Sequence, residues 1–192
     1  MAGITTVDTI VDRVKTLLEQ YLNSEVDLVD TRNNGVAVDG SANDFTTPEV
    51  NDDDIQTYVD RRSASPVRLL VEDRGSTRDR EFQLRANEGD DSTLPRFDRT
   101  HAIAVTVMVA SNRGDWTADG ARRRCNRIAE AVAVIMGRYP ALSVPGASPA
   151  LATLVADTYL SDDGRATEAQ VDDSQFYART LVYDVRTIEA RA

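Results

Sequence analysis

Two kinds of hydrophobic spacing follow one another between Thr100 and the end of this 192-residue sequence, and they restrict its fold more than its composition does. Residues 101–110, 151–160 and 175–189 are apolar runs or show the two-residue alternation of β-strands. Residues 117–138 instead carry apolar side chains at the three- and four-residue spacing of a helix that buries one face. This order predicts an α+β domain in which a long helix packs on a mainly antiparallel sheet.

One amphipathic helix is expected at the start of the chain. Residues 5–23 repeat apolar side chains every three or four positions, as in a helix with one buried face. Thr5 or Thr6 can cap its first turn, and the carboxylates of Asp8 and Asp12 lie near the positive end of the helix dipole. We therefore expect this helix to cover part of the sheet.

Weaker signals between these regions predict short strands and turns. Residues 26–29 suggest a short extended piece, and the Asn-Asn-Gly sequence at 33–35 is a turn signal. Residues 67–72 (VRLLVE) are typical of a buried strand, and residues 81–85 (EFQLR) of a weaker one. The polar segment at 73–80 between them is expected to be a loop.

Long polar segments separate the predicted elements. Residues 40–62 and 86–99 have no hydrophobic period, which is typical of functional or disordered loops, and residues 161–173 form a polar turn region. No internal repeat and no second apolar core are visible. We therefore interpret residues 1–192 as a single domain with two elaborate loops at about 40–62 and 86–99.

The residue types that perform catalysis are scarce. The single histidine, His101, begins a predicted strand and is interpreted as a polar residue at a strand edge rather than as a base. Cys125 is the single cysteine, so the chain can form neither an intrachain disulfide nor a cysteine zinc site. It lies on the apolar face of the second helix, where a free cysteine usually behaves as a small hydrophobic residue. No glycine-rich phosphate loop follows a strand. We expect a chain that is not an enzyme and binds no cofactor.

The charge is strongly biased towards aspartate. The net charge is −10, with 23 aspartates and 9 glutamates against 21 arginines and the single lysine Lys15. Nucleic acid repels such a chain unless a local basic patch overrides the global charge. An excess of aspartate together with few lysines is also typical of the proteins of salt-loving archaea. The N-terminal 20 residues lack the apolar block of a secretory signal, and no apolar run is long enough for a membrane span.

One concentrated basic cluster contrasts with this acidity. The second predicted helix carries four arginines on its polar side, Arg122, Arg123, Arg124 and Arg127. They could form a solvated helix face over apolar neighbours, pair with carboxylates on a neighbouring copy, or contact DNA directly. We retain these arginines as interface candidates.

Clusters of neighbouring aspartates could bind a divalent cation or lie at the surface as solvated charges. Their spacing lacks the alternation of an EF-hand loop, so no metal site is predicted. Because they fall in the first long loop, three are retained as interface candidates, namely Asp52, Asp53 and Asp54.

The succession of elements resembles the tail-terminator, or tail-completion, proteins of long-tailed phages and archaeal tailed viruses. The strand HAIAVTVMVA at 101–110 precedes the arginine-rich helix GARRRCNRIAEAVAVIMGRYPAL at 120–142. The strand ATLVADTYL at 152–160 and the final strand at 176–188 then follow, and the N-terminal helix at 5–23 also fits.

The resemblance implies a virion structural protein of the head–tail junction, located in the tail or neck and in the host cytoplasm during assembly. Such a protein forms a homo-oligomeric ring, commonly a hexamer, that caps the tail tube and joins it to the connector, or head-closure, protein. The genome passes through without specific binding, and an acidic channel wall would suit that passage. The alternatives are another neck or tail-tube-like subunit, or a cellular module that binds a metal through aspartates.

Overall fold

The computed structural model describes residues 7–32, 49–51, 67–82, 96–110, 118–143, 155–171 and 174–190. Two helices and six strands lie in these ranges. In chain order they are α1 (Val7–Arg32), β1 (Glu49–Asn51), β2 (Val67–Phe82), β3 (Arg96–Ala110), α2 (Ala118–Arg138), β4 (Val155–Asp163), β5 (Thr167–Val171) and β6 (Ser174–Ala190).

The described strands form one sheet in the order β1-β2-β3-β6-β4. The pairings among β2, β3, β6 and β4 are antiparallel, and the short strand β1 runs parallel to β2. β5 pairs with the same strand as β4, but with the first residues of β6 instead of its later ones. β4 and β5 therefore act as one kinked edge strand, and the predicted α+β class with a mainly antiparallel sheet is confirmed.

The helices α1 and α2 cover one face of the sheet. α1 contacts β1 and β2, and α2 contacts β3, β6 and β4, so the helices lie side by side and also pack on each other. The main core between this helical layer and the sheet includes Leu17, Ile128, Val105 and Leu181, all buried. Burial of aliphatic side chains on this scale is the main force that holds the helices on the sheet.

β3 is covered on both faces, as its loose alternation suggests. Ile103, Val105 and Val107 point to the helices, and Thr106 and Met108 are buried on the opposite face. Met108 packs there with Leu70 and Phe176 in a second, smaller cluster.

α1 is longer than its predicted range. The extended piece expected at residues 26–29 is wrong, because Val26 and Val29 continue the helix and are buried. They follow Leu22 by four and seven residues, so they extend the same apolar face by two turns. The turn signal at 33–35 lies outside the described residues.

β2 is a single strand where two strands with a loop between them were expected. The segment predicted as a loop, 73–80, pairs with β3 through two irregularities in register. One irregularity contains Gly75, whose φ of 110° suits glycine, and its amide donates to Asp73 Oδ1 at 2.9 Å. Backbone pairing with β3 therefore keeps this segment in a strand although its sequence is polar.

The predicted loops also contain strand residues. β3 begins at Arg96, inside the expected loop at 86–99, and β1 lies inside the expected loop at 40–62. The polar turn region at 161–173 includes the end of β4 and the whole of β5. The remaining residues of the two long loops lie outside the described ranges.

The end of α2 is fixed against α1. Pro140 follows the helix, as expected for a residue that cannot continue one, and Leu142 is buried with a φ of 49°. Arg13 of α1 donates to the Leu142 carbonyl oxygen at 3.1 Å. Nearby, the rings of Tyr21 and Tyr139 stack with their centroids 5.0 Å apart.

A charged contact lies one helical turn from this stack. Arg138 donates to the buried Glu25 carboxylate at 2.7 Å, which joins α1 to the last turn of α2. Together with the hydrogen bond of Arg13, this ion pair fixes the position of α1 relative to α2.

Candidate assembly surfaces

The outer edge of β4 is one candidate surface for contact with another protein. β4 pairs with β6 on one side, and in the part of the chain that the structure describes no strand pairs with its other side. The large side chains of Tyr159 and Leu160 on this strand are 51% and 40% exposed. Unpaired backbone groups beside exposed apolar side chains are the features through which edge strands bind other chains.

The kink between β4 and β5 is held by a network around Arg179 of β6. Its guanidinium donates to both carboxylate oxygens of Asp163, at 2.7 and 2.9 Å through Nη2. Its Nε donates to the Gly164 carbonyl oxygen at 2.9 Å, and its Nη1 donates to Asn126 Oδ1 of α2 at 3.1 Å. Since the planar guanidinium has donors in several directions, one side chain joins β4, the kink and α2.

Gly164 is required at the kink because the two strands approach very closely there. Its amide donates to the Thr180 carbonyl oxygen at 3.0 Å, and a Cβ at this position would lie 2.8 Å from that same oxygen. Any other residue would force the two backbones apart. Arg179 and Gly164 were both missed in the sequence, because a lone arginine in a strand and a glycine in a polar turn are common.

Burial changes the acidity of two groups near Arg179. Burial raises the pKa of the Cys125 thiol from 9.0 to about 12, against a smaller opposing effect of the Arg179 charge, and Sγ lies 3.6 Å from the Val107 carbonyl oxygen. Burial also raises the pKa of the Tyr183 phenol, and the negative charge of Asp163 adds to that rise. Cys125 is therefore a protonated core residue at neutral pH, as its apolar position predicts.

The arginine cluster on α2 is divided between the surface and the core. Arg122 and Arg123 are exposed and Arg127 is half-buried, but Arg124 is buried to 1% exposure. The expectation that Arg124 lies on the polar side of the helix is therefore wrong. It precedes Ile128 by four residues and so shares the buried face, a spacing that was visible in the sequence.

An acidic groove lies at the other end of the helical layer, between the start of α1 and β2. It has a volume of about 390 Å³ and is lined by four carboxylates and three valines: Asp8, Asp12, Glu72, Asp73, Val7, Val11 and Val71. Glu72 is paired with Arg74 at 3.0 Å. The sequence could not reveal this groove, because its two halves are far apart along the chain.

His101 occupies a different environment from the expected strand edge. It is fully buried in the central strand β3, and its Nε2 lies 3.4 Å from the Thr187 hydroxyl. The interpretation of His101 as an edge residue is therefore wrong, because β3 extends five residues further towards its N-terminus and is flanked by β2 and β6.

The aspartates expected at an interface, Asp52, Asp53 and Asp54, lie outside the described residues. Among the described residues, no three histidine, cysteine, aspartate or glutamate side chains are grouped as a metal site would require. None of the described helices combines the length and apolarity of a membrane span.

No protein-family model matches the sequence, and no curated protein matches it either.

Proposed function

We propose that this chain is a non-enzymatic structural subunit of a virion head–tail junction. Its copies form a ring, commonly a hexamer in the family that the chain resembles, that caps the tail tube and joins it to the head connector. The proposal starts from the resemblance of the element order to tail-terminator proteins and is supported by surfaces suited to contact between proteins.

The observation that carries the proposal is the outer edge of β4, beside which no described strand lies. Two large side chains are exposed on this edge strand, Tyr159 and Leu160. The backbone of an edge strand can pair with a strand of another chain unless charged residues, proline or a bulge prevent it. A protein that assembles can use such an edge as a binding site. The network around Arg179 supports this role because it fixes the shape of the edge at the kink.

The two ends of the sheet favour a contact that closes a ring. One end is formed by β1 and the other by the kinked strand β4-β5, so they present different surfaces. A contact between unlike surfaces is heterologous, and it closes into a ring when successive rotations add up to a full turn.

Mass photometry of the purified chain at low and high salt, alone and with purified tail tubes, tests the proposal. We expect a closed oligomer of defined size, or monomers that assemble on the ends of tubes. Tyr159→Ser with Leu160→Ser should abolish both. Leu28→Ser is the matched control, since Leu28 is 47% exposed on α1, on another element of the fold.

Two outcomes would redirect or contradict the proposal. Open-ended tubes built from the chain alone would favour a tail-tube-like subunit. Monomers at both salt concentrations, with no binding to tail tubes, would contradict any role in the junction.

A further inference from the structure

The helical layer carries opposite charges on its two outer flanks. α1 covers β1 and β2, whereas α2 covers β3, β6 and β4, so each helix has one side facing its partner helix and one side facing outwards. Arg13, Tyr21 and Glu25 form the side of α1 that faces the end of α2. The outward sides of the two helices therefore lie at opposite ends of the molecule.

The outward flank of α2 is basic. Arg122 precedes Asn126 by four residues, so the two side chains share one side of the helix. Asn126 accepts a hydrogen bond from Arg179 beside the β4-β5 kink, which places this side towards the β4 end of the sheet. Arg122 is exposed on this flank, and Arg123 is exposed on the adjoining side of the helix, about 100° further around its axis.

The outward flank of α1 contains the acidic groove. Asp8 and Asp12 are exposed on α1, and Glu72 and Asp73 line the groove from β2. Asp73 shares the face of Val71, which packs under the helices, whereas Glu72 alternates to the opposite face. Arg74 offsets the charge of Glu72, which leaves an excess of negative charge. β1 pairs with β2 only at Arg68–Leu70, so no described strand covers this part of β2.

The groove offers an arginine side chain both apolar and charged contacts. Three valines and four acidic residues line it. An arginine buries its aliphatic stem against apolar surface and directs its guanidinium to carboxylates, which it can bind through two parallel hydrogen bonds. A flat acidic surface would offer only the charge.

We propose that the outward flank of α2, through Arg122 and Arg123, docks into the α1–β2 groove of a second copy of this chain. This contact deepens the proposed function, on which it rests, by naming the surfaces that join neighbouring subunits. The occupant is a second copy because the same chain carries both complementary charges at opposite ends, where they cannot meet each other. The contact is heterologous, as a ring requires.

A charge-exchange experiment tests this contact. Variant A carries Asp8→Arg and Asp12→Arg, so its groove and its α2 flank are both basic. Variant B carries Arg122→Glu and Arg123→Glu, so both of its surfaces are acidic. Each variant alone should assemble at least about tenfold more weakly than the original chain, because every contact then joins like charges.

The mixture of variants A and B should assemble again. The basic flank of A fits the acidic groove of B, and the acidic flank of B fits the basic groove of A, so the copies alternate. A chain with all four substitutions should also assemble alone. Arg186→Glu is the control change of charge, since Arg186 is exposed on the inner strand β6 and away from both surfaces and from the β4-β5 edge, and it should leave assembly unchanged.

Circular dichroism of A and B establishes that both are folded. Assembly of A or B alone at the original strength, or no recovery in the folded mixture, would overturn the contact while the original chain still formed its ring. The proposed function would then stand with another interface.

A covalent test works even where the contact is too weak for rings in solution. A chain with Asp12→Cys is mixed with a chain with Arg122→Cys and oxidised, and Cys125 does not compete because it is buried. The mixed disulfide dimer should exceed either homodimer at least about tenfold, as expected for a preformed contact. A statistical mixture of dimers would overturn the proposal. Failure of the proposed function would instead appear as absent tube binding.

Discussion

Replacement of Arg179 by methionine removes the hydrogen bonds that join β4, the kink and α2, while it retains an apolar stem of similar length. The side chain of Arg179 is 16% exposed and that of Asp163 is 45% exposed, so solvent screens their ion pair. The bonds to Gly164 and Asn126 are made to neutral acceptors.

The expected cost follows from these contacts. A partly exposed ion pair contributes roughly 0.2–1 kcal/mol. Each of the two hydrogen bonds from the charged guanidinium contributes about 1.5 kcal/mol, the low end for bonds to charged groups because the network is partly exposed. The sum lies at roughly 3–4 kcal/mol, which for a domain of this size lowers the melting temperature by roughly 6–16 °C.

Thermal unfolding followed by circular dichroism measures this change, and hydrogen exchange locates it. We expect faster amide exchange at the ends of β4 and β5 in Arg179→Met, since the kink loses its support. Arg179→Lys should lie between the two, because lysine keeps the charge but lacks the planar fork of donors. Arg165→Met is the control, since Arg165 is exposed in the same turn. A fall of less than about 1 °C in Arg179→Met would refute the role of this network.

Four further substitutions test other features of the structure. In denaturant titrations, Gly164→Ala should destabilise the fold by about 1–3 kcal/mol, because its Cβ would lie 2.8 Å from the Thr180 carbonyl oxygen. Gly137→Ala in α2 should instead stabilise the fold by about 0.5–1 kcal/mol, because the space around Gly137 is open. Tyr183→Phe should be neutral or stabilising by about 1 kcal/mol, because the buried Tyr183 hydroxyl forms no hydrogen bond within the described structure; a loss above about 1 kcal/mol would contradict this. The thiol of Cys125 should resist alkylation at mildly alkaline pH until the chain is unfolded. Because its pKa is raised from 9.0 to about 12 on folding, its contribution to stability is complete below 9.0 and is lost as the pH rises towards 12; Cys125→Ala should flatten this alkaline decline, and an unchanged slope would contradict it.

Regular hydrophobic spacing predicted the elements whose buried face follows a continuous apolar pattern in the sequence. α2 and β6 begin and end within one residue of their expected bounds, because long apolar stripes mark them from end to end. α1 was extended by Val26 and Val29, whose spacing continued the helix although the segment was interpreted as a strand.

Tertiary pairing determined the parts that the sequence did not predict. The polar second half of β2 is a strand because β3 lies beside it, and polar residues of the β4-β5 region pair with β6. Propensity is a weak guide where a neighbouring strand supplies hydrogen bonds.

The candidate surfaces were likewise predicted only in part from the sequence. Arg122 and Arg123 are exposed on α2, as expected, whereas Arg124 was misplaced because the cluster of arginines was considered as a unit. The acidic groove depends on α1 and β2 meeting in space. No pattern confined to one segment could reveal it.

The proposed role requires that this chain assembles into a ring at the end of a tail tube. Mass photometry of the unmodified chain with and without purified tail tubes, at low and high salt, measures this assembly. We expect a single closed oligomer, or ring-sized assemblies on the ends of tubes, that Tyr159→Ser with Leu160→Ser abolishes. A chain that stays monomeric in every condition and leaves tube ends bare would contradict it.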